Sequence, residues 1–214
     1  MKVPFPLSLR RILLPVRFFL PLVENAHGHN NLLSFLPLPI RDISLLFVPV
    51  QGGGMEIIMR RKIIGVRDFH NSVDITDPCY NRDVWCRMNH VKIKDGKYTC
   101  AVWHHTDKYE HEGKICKDKR VGIIGIYLDG VIPTAKAMEE IGSIGVDAGL
   151  AGFFHNKPDY SDEAWSKFCD NIAKGDAWLT EDGFFSSSGY GDGCYGVYAL
   201  KTNEEIVSLE IRFL

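Results

Sequence analysis

The chain has no uninterrupted apolar run of about 18 residues, so it offers no transmembrane helix. It has no Gly-Lys-Ser or Gly-Lys-Thr, which excludes a Walker phosphate loop, and no H-R-D or D-F-G, which excludes a protein kinase. It has no C-x-x-C, so the strongest zinc spacing is missing. It has no charge excess: 25 basic residues face 27 acidic ones, a net of −2, with no acidic or basic tail for a polycation or polyanion. Residues 1–54 are also without Cys, Trp and Tyr, although they hold seven of the ten prolines.

That last deficit divides the chain. Residues 1–54 carry five Lys/Arg against two acids; the remainder carries 20 against 25. Pro4, Pro6, Pro15 and Pro21, with Arg10, Arg11 and Arg17, interrupt the apolar stretch that a signal peptide needs. Gln51-Gly-Gly-Gly just before Met55 reads as a purine-rich ribosome-binding sequence translated through. Residues 1–54 are therefore expected to be a leader, read from a start upstream of the true one. A flexible arm and a degenerate targeting segment are the alternatives. Residues 55–214 are expected to be one globular β-rich domain, cytoplasmic and without a membrane partner.

Within that part the dominant pattern is the strand. "MEIIMRRKIIGV" is rich in β-branched residues, and "KRVGIIGIYLDG" is short and nearly all apolar. Asp95-Gly96 stands between two strand-like runs and predicts a hairpin turn. "IGSIGVDAGLAGFF" reads as strand broken near Asp147 and Gly149, and four further strands follow Gly175. One helix is expected, over about residues 161–174: Ser161 is a good cap, Asp162 and Glu163 suit the first turn, and Gly175 is the stop. Trp165, Phe168, Cys169 and Ile172 would form its core face. Strands that follow one another without helices argue for an α+β, mainly β domain: an antiparallel sheet or sandwich with one long amphipathic helix.

The stretch 189–198, "GYGDGCYGVY", contains G-x-G-x-x-G. A dinucleotide fingerprint needs a helix after its glycines, and here the strand-like "VYAL" follows. The glycines read instead as a tight corner, with Asp192 bonding the turn and positive φ at Gly191 and Gly193. A nest of N–H groups for an anion is the functional alternative. The stretch "SSSGYGDGCYGVYALKTNEEIVSLEIRF" resembles the C-terminal signature of an uncharacterised bacterial and phage family, domain of unknown function forty-two forty-one. Ser188, Gly189, Gly191, Asp192, Gly193, Tyr195 and Phe213 stand at the matching places. Asp77-Pro78, "GKYTCAV", "RVGIIGIYL" and "IGVDAG" are similar to its earlier elements, and the resemblance covers roughly residues 72–213. "NEE" in place of a usual Asp-x-x-Gly turn, and the cysteines, depart from it. The resemblance implies a β-rich fold in a bacterial or phage setting and carries no reaction.

Several clusters can carry chemistry. Ser188, Gly189, Tyr190, Gly191, Asp192, Gly193 and Asp147 are the candidate ligand-binding residues. Cys79, Cys86, His90 and His104 are the best zinc set, against ordinary buried thiols and surface histidines. Period 2 puts His104 with Cys100 on one strand face and His105 on the other. Cys194 with His155 is a candidate nucleophile pair. Asp147, Asp176 and Asp192 are oxygen ligands for a metal-dependent hydrolase. The tryptophans, Phe184, Phe185, Tyr190 and Tyr195 read mainly as core, with Tyr190 and Phe184 or Phe185 placed to stack on a base. "KICKDKR", residues 114–120, reads as a solvated loop, and the net acidity argues against broad nucleic-acid binding. The expectation is a non-catalytic binder without a cofactor. It would sequester a nucleotide-like small molecule or a partner protein in a defence, counter-defence or toxin-immunity setting.

Overall fold

The computed structural model describes residues 45–49, 56–129, 133–155, 157–172 and 174–214. They fall in one compact unit, Arg41–Leu214. The expected leader lies outside the described residues except for its strand Leu45–Pro49.

The strands, in chain order, are β1 (Leu45–Pro49), β2 (Glu56–Phe69), β3 (Ser72–Thr76), β4 (Met88–Lys92), β5 (Gly96–His111), β6 (Lys114–Leu128), β7 (Glu139–Val146), β8 (Leu150–Phe154), β9 (Ala177–Leu179), β10 (Gly183–Ser187), β11 (Gly193–Thr202) and β12 (Glu205–Arg212). One helix, α1 (Asp162–Asn171), and a short 3-10 turn, Ala135–Ala137, complete the described elements. The strands form two antiparallel sheets, ordered β1-β2-β5-β6-β12-β11-β7 and β4-β3-β8-β10-β9. The expected mainly β, antiparallel architecture with one helix is what the chain adopts.

Alternation builds the core. Tyr98, Cys100, Val102, Ile124, Ile126, Leu209 and Ile211 of the larger sheet pack against Val73, Ile75, Phe153 and Phe184 of the smaller one, all buried. Each such side chain contributes about 1.5–3 kcal/mol relative to exposure. Three glycines inside strands have a packing reason. A Cβ would come 2.2 Å from the Tyr127 hydroxyl at Gly125, 2.9 Å from the Tyr198 ring at Gly196, and 3.3 Å from the Tyr195 ring at Gly193. In each Gly-x-Tyr the two residues share a face, and the tyrosine ring folds back over the glycine.

Three local expectations change. Asp95-Gly96 is not a hairpin turn. β4 pairs with β3 in the small sheet, whereas Gly96 opens β5 opposite Phe69 in the large one. The dipeptide is where the chain crosses between sheets, and the Asp95 carboxylate accepts the Asn71 N–H at 2.7 Å. The helix is short, ending at Asn171, because the Ile172 N–H closes onto the Phe168 and Cys169 carbonyls. Its apolar side is not core: Trp165 and Phe168 are half-buried and Cys169 is exposed. They lean instead on Tyr160 and on Phe185, with ring centroids 5.3–6.1 Å apart, over the outer side of the small sheet. The expected break near Asp147 and Gly149 is present, and there the chain passes from β7 in one sheet to β8 in the other.

Candidate binding site

The segment between β3 and β4, residues 77–87, is where the structure places its most unusual groups. Asp77 is fully buried. Its carboxylate accepts the N–H groups of Cys79 at 2.9 Å, Asp147 at 2.9 Å and Ala148 at 2.7 Å, tying this segment to the β7–β8 turn. The Tyr80 carbonyl accepts from two cations, Arg87 Nη1 at 2.8 Å and Lys157 Nζ at 3.0 Å. Arg87 also donates to the buried Asp74 at 3.1 Å. Lys157 is 0% exposed and gives another hydrogen bond to the Pro158 carbonyl at 2.7 Å, with the Tyr160 ring 4.5 Å away. Burial, with Arg87 pushing the same way, lowers its pKa to about 8. Two buried cations on one carbonyl make this loop rigid.

The rigid loop presents Trp85 to solvent at 92% exposure. Beside it is a cavity of about 700 Å³ lined by Tyr80, Trp85, Cys86, Asp147, Gly193 and Cys194. Gly145 forms part of the wall, and a Cβ there would come 2.9 Å from the Cys86 sulfur. The Tyr80 hydroxyl is pushed to higher pKa by burial, then by hydrogen bonds to the Cys86 thiol and the Asp147 carboxylate. It stays a neutral donor. Burial, followed by Asp77, pushes the Cys79 thiol up to about 12. The cavity thus offers an indole face, a phenol, thiols and one acid.

The glycine stretch divides between this cavity and a second cleft. Asp147 and Gly193 belong to the cavity; Ser188, Gly189, Tyr190 and Gly191 line the cleft, about 460 Å³, together with Lys119, Arg120 and Asp176. The corner reading holds for the loop, with a different bond. Ser188 Oγ donates to the Gly191 carbonyl at 2.6 Å, and the Ser188 N–H donates to the Gly149 carbonyl at 2.8 Å. Asp192 is exposed and makes no hydrogen bond or ion pair among the described residues. Positive φ falls at Gly189 and Gly191, not at Gly193. Gly189 must be glycine, because a Cβ would stand 2.0 Å from the Val121 carbonyl oxygen. Tyr190 is engaged: its hydroxyl donates to Asp107 at 3.1 Å and lies 3.2 Å from His105 Nδ1, and Arg120 stacks on its ring at 5.0 Å. Burial, then the Asp107 bond, raises its pKa to about 12.

At the cleft His104 Nε2 lies 2.6 Å from Asp176 Oδ2. Burial lowers the His104 pKa and outweighs the carboxylate's pull. Burial alone would raise Asp176, but the bond to His104, with Lys62 and Lys119, holds it below the usual range. The pair is a neutral imidazole donating to a carboxylate. His104 and Cys100 do share the core-facing side, as period 2 required. A larger open groove of about 930 Å³ is walled by charged surface residues such as Lys92, Lys94 and Glu204, with His90 but no Phe, Tyr or Trp among its lining residues.

Other expected sets do not converge. Asp147 and Asp176 sit at different clefts and Asp192 at neither. Cys79 faces Asp77, Cys86 Tyr80, His90 Asp74, and His104 Asp176. Among the described residues no three His, Cys, Asp or Glu stand together as metal ligands. His155 does not line the cavity that holds Cys194. Phe184 and Phe185 are core, not stacking platforms, and Trp85 is a surface residue rather than core. Its local setting, "YNRDVWCRMN", is polar at period 2, with Asp83 and Arg87, but carries apolar Met88 at i+3, so the window alone does not decide its exposure. Comparison with family models, curated proteins and solved structures finds no match, so the functional reading rests on this geometry.

Proposed function

We propose that the protein is a non-catalytic binder and that the Trp85 cavity takes a small molecule with a planar, base-like ring carrying a hydrogen-bond donor. The observation that carries this is Trp85, 92% exposed on a loop pinned by buried Arg87 and Lys157. A large aromatic carried into water on a loop whose backbone is pinned offers a stacking surface. Asp147 supplies the acceptor for the ring's amino or imino group, and the Tyr80 phenol, bonded to that carboxylate, orients it. The groups best suited to reaction are committed to structure: Asp77 to three N–H groups, His104 to Asp176, and Lys157 to two carbonyls. Sequestering a base-like signal is the role such a module would play in a bacterial or phage defence, counter-defence or toxin-immunity setting.

The test is titration of the full chain with nucleosides, followed by tryptophan fluorescence and calorimetry. At least one base should bind, and Trp85→Ala should weaken it about 5- to 150-fold, the equivalent of about 1–3 kcal/mol of stacking. Asp147→Asn should weaken amino-bearing bases selectively. Undiminished affinity in Trp85→Ala, or no response to any nucleoside, would overturn the reading.

A further inference from the structure

β5 and β6 outrun their neighbours. β2 accompanies β5 only as far as the pair Arg60↔His104, and β12 accompanies β6 only as far as Arg212↔Ile123. From His105↔Arg120 to His111↔Lys114 the two strands pair only with each other among the described residues. At about 3.3–3.4 Å per residue this ribbon is about 20 Å long. Its tip is Glu112-Gly113, with φ of 50° and 73°, the positive pair of a tight hairpin turn. A lone two-stranded ribbon gains little stability by itself, so its length calls for a use.

The register sorts its charges by face. His104 faces the second sheet, and residues two apart share a face, so Thr106, Lys108 and Glu110 follow it. Opposite them stand Lys119, Lys117 and Ile115. Arg60, paired with His104, and Lys62, paired with Val102, continue the same face onto β2. Five cations therefore run from the mouth of the sandwich along the ribbon. Lys62 lies 3.7 Å from Asp176, while Arg60, Lys108, Lys117 and Lys119 have no ion-pair partner among the described residues. Lys108 and Lys117 are directly opposite each other, an arrangement that repels. The reverse face carries Asp107 opposite Asp118, clasped by Arg120 at 2.6 Å from Asp118. A net charge of −2 for the whole chain conceals this local concentration of cations.

We infer that the basic face of the ribbon docks on the phosphate backbone of a nucleic-acid duplex. Lys117 and Lys119 stand two residues apart with Lys108 across from Lys117, and Arg60, Lys108 and Lys117 lack an ion-pair partner among the described residues, which is what a row of phosphates satisfies. A protein partner needs an apolar centre with charged groups at the rim. This face has only Ile115, 69% exposed, near its tip. A two-stranded ribbon also fits the roughly 12 Å width of a duplex major groove. The inference stands on residues remote from the Trp85 cavity and does not depend on that reading.

The experiment is fluorescence anisotropy of a labelled mixed-sequence 20-base-pair DNA duplex with the full chain, between 50 and 200 mM salt. With four to five phosphates neutralised, affinity should fall about 10²-fold over that range, a log–log slope near −4. Lys108→Gln with Lys117→Gln should weaken binding at least tenfold and reduce the slope by about 2, while Lys201→Gln on β11 changes neither. Because both lysines are exposed on the ribbon, circular dichroism and the melting temperature should match the parent, which separates lost docking from lost fold. Absent binding at 50 mM salt, a slope unmoved by the double variant, or displacement of the duplex by an equal charge concentration of polyglutamate would overturn the inference; the last would point to an acidic protein.

Discussion

Gly189→Ala is the sharpest test of how the glycine corner is built. At Gly189 two costs combine. Its φ is +69°, where a residue with a Cβ loses about 1–2 kcal/mol. The new methyl would also stand 2.0 Å from the Val121 carbonyl oxygen, so either the loop or β6 must move. Overpacking of that kind costs about 1–3 kcal/mol. The sum is about 2–5 kcal/mol. Gly191 is the internal control. Its φ is +87°, but nothing lies within 4 Å of its would-be Cβ, so only the conformational term of about 1–2 kcal/mol applies. Asp192→Asn, in a side chain without partners, should stay within about 0.5 kcal/mol. Urea unfolding of the three variants reads all three terms. Equal losses at Gly189 and Gly191 would refute the claim that contact with the β6 backbone, and not φ alone, demands glycine here.

Lys157 should make stability depend on pH in a defined direction. Its folded pKa, about 8, is below the ordinary value of 10.5, so between those pH values the unfolded chain binds more protons and stability rises with pH. Against Lys157→Met, wild-type stability should gain on the order of 2–3 kcal/mol from pH 8 to 10.5, measured by chemical denaturation; a flat difference would contradict a charged, buried amine. Asp77→Asn should cost about 2–4 kcal/mol of unfolding free energy, since an amide nitrogen cannot accept the N–H groups of Asp147 and Ala148; a thermal shift below about 2 °C would exclude that role. Iodoacetamide at pH 8 should alkylate exposed Cys194 and spare Cys100, which burial pushes up to about 12, until denaturant is added; mass spectrometry reads the order, and early labelling of Cys100 would show the core is open.

The fold class was legible because it rests on local pattern: β-branched alternation, turn residues, and a single capped helix. The faces of His104 and His105 followed from period 2 alone. Asp95-Gly96 misled because a hairpin and a crossing between sheets use the same turn chemistry, and only long-range pairing distinguishes them. The helix overran because Gly175 was a plausible stop, whereas the closure at Ile172 is made by backbone bonds. The site was least legible. His104 and Asp176 are 72 residues apart, and Tyr80 meets Lys157 across 77. The exposure of Trp85 depends on what is not packed over it, which no local window records. The lysine face required the β5–β6 register before "KICKDKR" could be seen as two faces and not one solvated loop.

One bond in the Trp85 loop has a consequence for solubility. β7 is the last strand of the large sheet, and a terminal strand with free N–H groups invites pairing with another molecule. The Gly145 N–H, which points away from β11, donates to the Cys86 carbonyl at 2.7 Å, so the loop covers part of that edge itself. The exposed ends of the small sheet are short, five residues in β4 and three in β9. The loop that displays Trp85 is therefore also a guard against aggregation. Substitutions that loosen it to widen the cavity should expose the β7 edge and drive self-association before they improve binding.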